Sequence, residues 1–112
     1  MIDELKTLQA GLAASIQTVL AAYDQCTVPE MRSRLLDQAQ TLSSQMSQIE
    51  TRLFHQQALE ASTVLAAAFA SVRGYTDQID ELNNRLEEVS AIISLAGKVV
   101  DGVTRIVSVL PV

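Results

Sequence analysis

The residues in this chain that could do covalent or metal chemistry are few and lie far apart. There is one cysteine, Cys26, and one histidine, His55, among 112 residues. A thiol–imidazole pair needs hydrogen-bond contact between the two groups. These two sit at opposite ends of one expected helix, ~40 Å apart at 1.5 Å per residue. Cys26 also has Asp24 two residues before it and Glu30 four after, and nearby carboxylates oppose thiolate formation. Carboxylate-bridged metal pairs in helical bundles use two Glu-x-x-His elements, whereas the position three before His55 is Arg52. The acidic run Asp77, Asp80, Glu81, Glu87 and Glu88 contains Arg85 four residues after Glu81 and reads as a solvated helical face. No Gly-rich phosphate loop, Ser-His-Asp set or paired-cysteine zinc spacing occurs. The expectation is a protein that is not an enzyme, with no catalytic residue, no metal, no cofactor and no small-molecule substrate.

Charge narrows the partners. Eight Lys and Arg against thirteen Asp and Glu give a net charge of −5, and the basic residues are scattered, so no nucleic-acid surface is expected. The single cysteine rules out an intramolecular disulfide framework and fits a reducing compartment, giving a cytoplasmic expectation. Met1 to Lys6 is followed by no apolar core of the secretory type. The most apolar stretch, Val89 to Val112, carries Lys98, Asp101 and Arg105, which argues against a membrane-spanning helix.

Hydrophobic residues make up 48% of the chain and aromatics 4%, with two Pro and four Gly. That composition predicts an all-α protein with a core of Leu, Ile, Val and Ala, forming a single helical domain over 1–112. The elements follow from the periodicity. Ile2, Leu5, Leu8, Leu12, Ile16, Val19, Leu20 and Tyr23 mark an amphipathic helix over about 2–25. Thr27-Val28-Pro29-Glu30 has the pattern of a capped helix start, with Glu30 three after Thr27. Met31, Leu35, Ala39, Leu42, Met46, Ile49 and Leu53 then follow heptad steps.

A longer row dominates the rest. Ala61, Leu65, Ala68, Val72, Tyr75, Ile79, Leu82, Leu86, Val89, Ile93, Ala96, Val100, Val103, Val107 and Leu110 recur at alternating four and three, the signature of a helix–helix seam. Between Leu53 and Ala61 the phase slips and Gln57 falls on the seam, like a local stutter. The row crosses Gly74, which favours one continuous helix, but Arg73-Gly74 followed by Thr76 and Asp77 reads as a stop and a fresh start. Antiparallel pairing arithmetic favours the stop. The reading is a three-helix antiparallel bundle or coiled coil with helices at about 2–25, 28–73 and 77–110. A β-hairpin around Asp101-Gly102 is the rival for the last stretch. Ile92, Leu95, Val99, Ile106 and Val109 form a second apolar stripe, expected to face two neighbours.

In that plan the first helix is too short to cover the hairpin of the other two, and residues from about 58 to 92 protrude as a two-helix arm. Leu59, Val64 and Phe69 lie off its pairing seam and are the candidate partner-binding residues. The partner is a second copy, giving a homodimer, or another helical protein. The function expected is therefore a non-catalytic helical interaction protein, acting as adaptor, scaffold or assembly subunit. The alternative is a membrane- or lipid-surface-active protein whose C-terminal helix leaves the bundle. The weak basicity of that helix disfavours this alternative.

Overall fold

In the computed structural model, which describes residues 2–54 and 63–109, the chain is helical and no strand occurs among the described residues. The first helix, α1, spans Ile2–Gln25. It buries Leu5, Leu8, Leu12, Ile16 and Val19 of the row expected from spacing, while Tyr23 is half-buried and Leu20 is exposed. Asp3 and Glu4 occupy its first turn, where carboxylates meet the positive end of the helix dipole. Its last turn closes as the Cys26 N–H donates to the Ala22 carbonyl at 2.9 Å.

The second helix, α2, spans Pro29–Phe54. The Arg32 N–H donates to the Val28 carbonyl at 2.9 Å, so Val28 is the cap residue and Thr27 stands one place outside. Pro29 is the first helical residue, where its missing N–H breaks no bond. The two helices are tied at this end by Arg32: its Nε donates to the Tyr23 carbonyl at 3.3 Å, and its guanidinium lies 4.4 Å from the Tyr23 ring centre. Towards the other end Gln9 Nε2 donates to Glu50 Oε1 at 3.1 Å, so α1 and α2 are antiparallel.

The third helix, α3, spans Thr63–Glu81, and a 3-10 turn at Leu82–Asn84 leads towards α4, Val89–Val109. Gly11 of α1 faces Thr76, and the Thr18 hydroxyl donates to Asn83 Oδ1 at 3.4 Å. The numbers rise together, so α1 and α3 are parallel. Gln38 Nε2 donates to the Ile93 carbonyl at 2.8 Å and Gln45 Nε2 to the Val100 carbonyl at 2.9 Å, which makes α2 and α4 parallel as well. The bundle is thus two antiparallel hairpins, α1–α2 and α3–α4, laid side by side in the same sense. α1 and α4 also touch across the middle.

This architecture corrects the three-helix plan in three places. Helices α2 and α3 run in opposite directions, so no single helix covers 28–73; the described helix ends at Phe54 and the next begins at Thr63. Gly74 lies inside α3, with no positive φ among the described residues. A helix-interior glycine costs only ~1 kcal/mol, less than the burial of Val72 and Ile79 on either side of it gains. The chain instead reverses over Leu82–Glu88, where the Arg85 N–H donates to the Leu82 carbonyl at 2.8 Å and the Glu88 N–H to the Arg85 carbonyl at 2.9 Å. Residues 99–103 are helical, within α4.

The third correction concerns the arm. No protruding two-helix arm exists among the described residues, because α3 lies along α1 and α4 along α2. Having two neighbours each also moves the deepest row. In α4 the buried residues are Ile92, Ala96, Val99, Val103 and Ile106, while Ile93, Val100 and Val107 of the longer row are half-buried. A helix packed into an angle between two others buries the bisector of its apolar face, not the stripe that would face a single partner.

Candidate functional site

Two grooves mark the described surface. The first lies between α2 and α4, holds about 750 Å³, and is lined by Asp37, Gln40, Thr41, Ser44, Gln45, Gln48, Thr104, Val107 and Ser108. Its walls are helical ridges: the α2 residues recur at three and four positions, and Thr104 and Ser108 lie one turn apart on α4. The groove floor is held by Gln45, which is 7% exposed and donates both to the Val100 carbonyl and to Thr104 Oγ1, the latter at 3.1 Å. One heptad earlier Gln38 makes the same bond to Ile93. The side-chain oxygens of both glutamines are buried with no hydrogen-bond partner, an arrangement that leaves part of each amide's desolvation uncompensated.

The second groove, about 620 Å³, lies between the start of α1 and the first half of α3. Asp3, Glu4, Asp77 and Arg73 are the charged residues of its lining, and Leu8, Ala66, Phe69 and Ala70 the apolar ones. Thr76 is 6% exposed and donates to the Arg73 carbonyl at 3.0 Å. Its packing against Gly11 brings α1 and α3 together here.

The residues singled out as partner-binding fare differently. Leu59 lies outside the described residues, as does His55. Val64 belongs to α3, but its side chain is outside the described set. Phe69 is 8% exposed and part of the core, lining the α1–α3 groove with Leu8, so the exposure expected of it on a bare arm is absent. Cys26 is half-buried in the α1–α2 turn, its Sγ 3.7 Å from the Val28 carbonyl. Asp77, Asp80, Glu81, Arg85, Glu87 and Glu88 are all exposed, at the end of α3 and in the following turn. The described residues hold no group of three or more His, Cys, Asp or Glu placed to share a metal ion, and no described helix is long and apolar enough to cross a membrane.

Spacing missed the two glutamines. Gln45 stands next to Met46 on the expected row, and an amide beside a seam gives no sign that it will turn inward. The signal, visible only with the fold known, is that Gln38 and Gln45 are seven apart and therefore on one stripe.

Comparison of the chain with protein-family models, with curated proteins and with solved structures finds no match in any of the three.

Proposed function

We propose that this chain is a non-catalytic helical interaction protein that self-associates by coiled-coil-like packing and serves as an adaptor or assembly subunit in a cytoplasmic setting. The observation that carries the reading is how the bundle is made. Two hairpins of the same kind lie side by side, parallel helix against parallel helix, and the rows between them are mostly Leu, Ile, Val and Ala at heptad spacing. Such an interface has little that is specific to one chain, so a segment of a second copy presents the same ridges as the chain's own. The α2–α4 groove, walled by two helical ridges and lined mostly by hydrogen-bonding side chains, with Asp37 its one charged residue and Val107 its one apolar one, adds a surface suited to a further helix.

The test is the mass of the full chain in solution, measured by light scattering over a wide range of concentration. A mass rising from one chain to two or more supports the reading, and a single-chain mass throughout removes self-association from it.

A second reading, attachment to a lipid surface through α4, is favoured by the apolar rows of that helix, where Ile92, Val99, Val103 and Ile106 lie at 0% exposure. Opening the bundle would present them to a membrane. Flotation of the full chain with liposomes supports this reading if the protein rises with the vesicles, and absence of the protein from the vesicle fraction removes it.

A further inference from the structure

We infer that two copies of this chain join by exchanging α4, the turn at 82–88 opening so that each α4 occupies its place against α1, α2 and α3 of the other copy. The inference rests on the self-association proposed above and names its route.

The turn is the unusual element. It carries no glycine, no proline and no positive φ, the features that ordinarily enforce a reversal. The 3-10 segment has no side-chain cap, and Arg85, which ends it, sits at φ −137° and ψ 57°. Outside the helical segments, two short-range backbone bonds close the reversal, from Arg85 to Leu82 and from Glu88 to Arg85, and the Thr18–Asn83 side-chain bond ties it to α1. Its residues, Leu82-Asn83-Asn84-Arg85-Leu86-Glu87-Glu88, are all compatible with a helix, and Glu81 to Arg85 is a favourable i,i+4 pair there.

The apolar row also runs through the turn without a break. Ala68, Val72, Tyr75, Ile79, Leu82, Leu86, Val89, Ile93, Ala96, Val100, Val103 and Val107 keep heptad steps, and each is buried or packed against the core. A turn that leaves the seam unbroken, with Asn83-Asn84 as its turn-favouring residues and no helix breaker, is a hinge between two ways of satisfying the same contacts. In one, α4 folds back on its own α3; in the other, α3 and α4 join into one helical run of ~70 Å and the fold-back contact is made with the second copy. Exchange preserves every α4 contact seen in the single chain, so the balance is set by the turn itself and by protein concentration.

The ends that meet carry apolar surface. Thr18 is level with Asn83, so the remainder of α1 and the turn into α2 stand beyond the α3–α4 turn. Leu20 at 39% and Val28 at 47% exposure are the large hydrophobics left exposed among the described residues, and both lie at that end. Exchange brings the two α1–α2 tips together, the joined helix curving at the hinge to clear them, and gives these side chains an apolar neighbour.

A cross-link distinguishes exchange from any other dimer. A Cβ built on Gly102 lies 3.8 Å from Val72 Cβ, within the range a disulfide spans. The full chain carrying Val72→Cys, Gly102→Cys and Cys26→Ser is refolded from urea at high concentration, oxidised, and run under non-reducing denaturing conditions. Exchange predicts that the dimer peak runs as a covalent two-chain species. A dimer peak that denatures to internally bridged single chains overturns exchange while leaving self-association standing. A single-chain mass at every concentration overturns both. A second variant needs no cysteine: Leu86→Pro fits the second position of the Arg85–Glu88 turn, and its N–H serves no backbone bond, but a proline breaks the joined helix. It is expected to lower the dimer fraction at least about tenfold; an unchanged dimer fraction in this otherwise wild-type chain overturns the proposal.

Discussion

Gln45 reaches across from α2 and donates its side-chain amide to the backbone carbonyl of Val100, 2.9 Å away on α4, while its own carbonyl oxygen is buried without a partner. Gln38 repeats the arrangement with Ile93 one heptad earlier. Polar contacts with fixed geometry thus set the register of two parallel helices whose remaining contacts are mostly non-directional apolar packing. The register they set is stabilised less than a fully paired amide would allow.

Gln45→Met tests that balance. It removes the orphan oxygen and the two donated bonds at once, and the Val100 carbonyl keeps Thr104 Oγ1 at 2.8 Å. Replacing an imperfectly satisfied buried amide by an apolar chain of similar shape is expected to change stability by less than about 1 kcal/mol. Gln45→Ala, which leaves a void at the same place, is expected to cost about 2 kcal/mol. Urea denaturation of the two variants measures the difference; a methionine variant as unstable as the alanine one would show that the bonds dominate.

Glycine substitutions separate α3 as it is from a chain that turns at Gly74. A Cβ at Gly74 meets nothing within 4 Å, so Gly74→Ala is expected to stabilise the protein by about 0.5–1 kcal/mol through helix propensity. A Cβ at Gly11 would sit 2.9 Å from Thr76 Oγ1, and Gly11→Ala is expected to be destabilising by about 1 kcal/mol, overpacking outweighing propensity. Thermal unfolding reads both signs. A destabilised Gly74→Ala would contradict the continuous helix.

Val72 and Gly102 should be energetically coupled. The side chain of Val72 fills the space where a Cβ on Gly102 would stand. Gly102→Ala alone is expected to lose about 1–3 kcal/mol from overpacking, and Val72→Ala alone to lose a buried contact. The double variant should be more stable than the sum of the two by more than about 0.5 kcal/mol. Strict additivity in a denaturant-melt cycle would place the two residues out of contact.

At the α1–α2 turn, Arg32 does two things at once from a single planar group. Its planar head lies over Tyr23 while Nε donates to a carbonyl in the last turn of α1, where carbonyls lack intrahelical partners. Arg32→Ala is expected to cost about 1 kcal/mol, and Arg32→Lys to recover less than half of it. Melting temperatures of the three proteins decide this, full rescue by lysine being the contrary result.

Local order in this protein could be read from residue spacing because it depends on nearest-neighbour physics. The row Leu5, Leu8, Leu12, Ile16 and Val19 has one apolar face whatever covers it, Pro29 can only begin a helix, and two Pro and four Gly leave little for sheet. All-α composition, the limits of α1, the start of α2 and their antiparallel pairing follow from those facts. What could not be read is which rows meet. Heptads accept many partners at nearly equal energy, so the slip at Gln57 fitted a stutter within one helix as well as two separate helices, α2 and α3, that run in opposite directions. The stop suggested by Arg73-Gly74 fitted the pattern better than the true turn at Leu82–Glu88, which carries no breaker. Phe69 became core, and Gln38 and Gln45 became clamps, only once α1 lay against α3 and α2 against α4. Those contacts join residues 55 to 65 apart in the chain, and packing over such separations is settled by the shape of the whole bundle, not by any stretch of it.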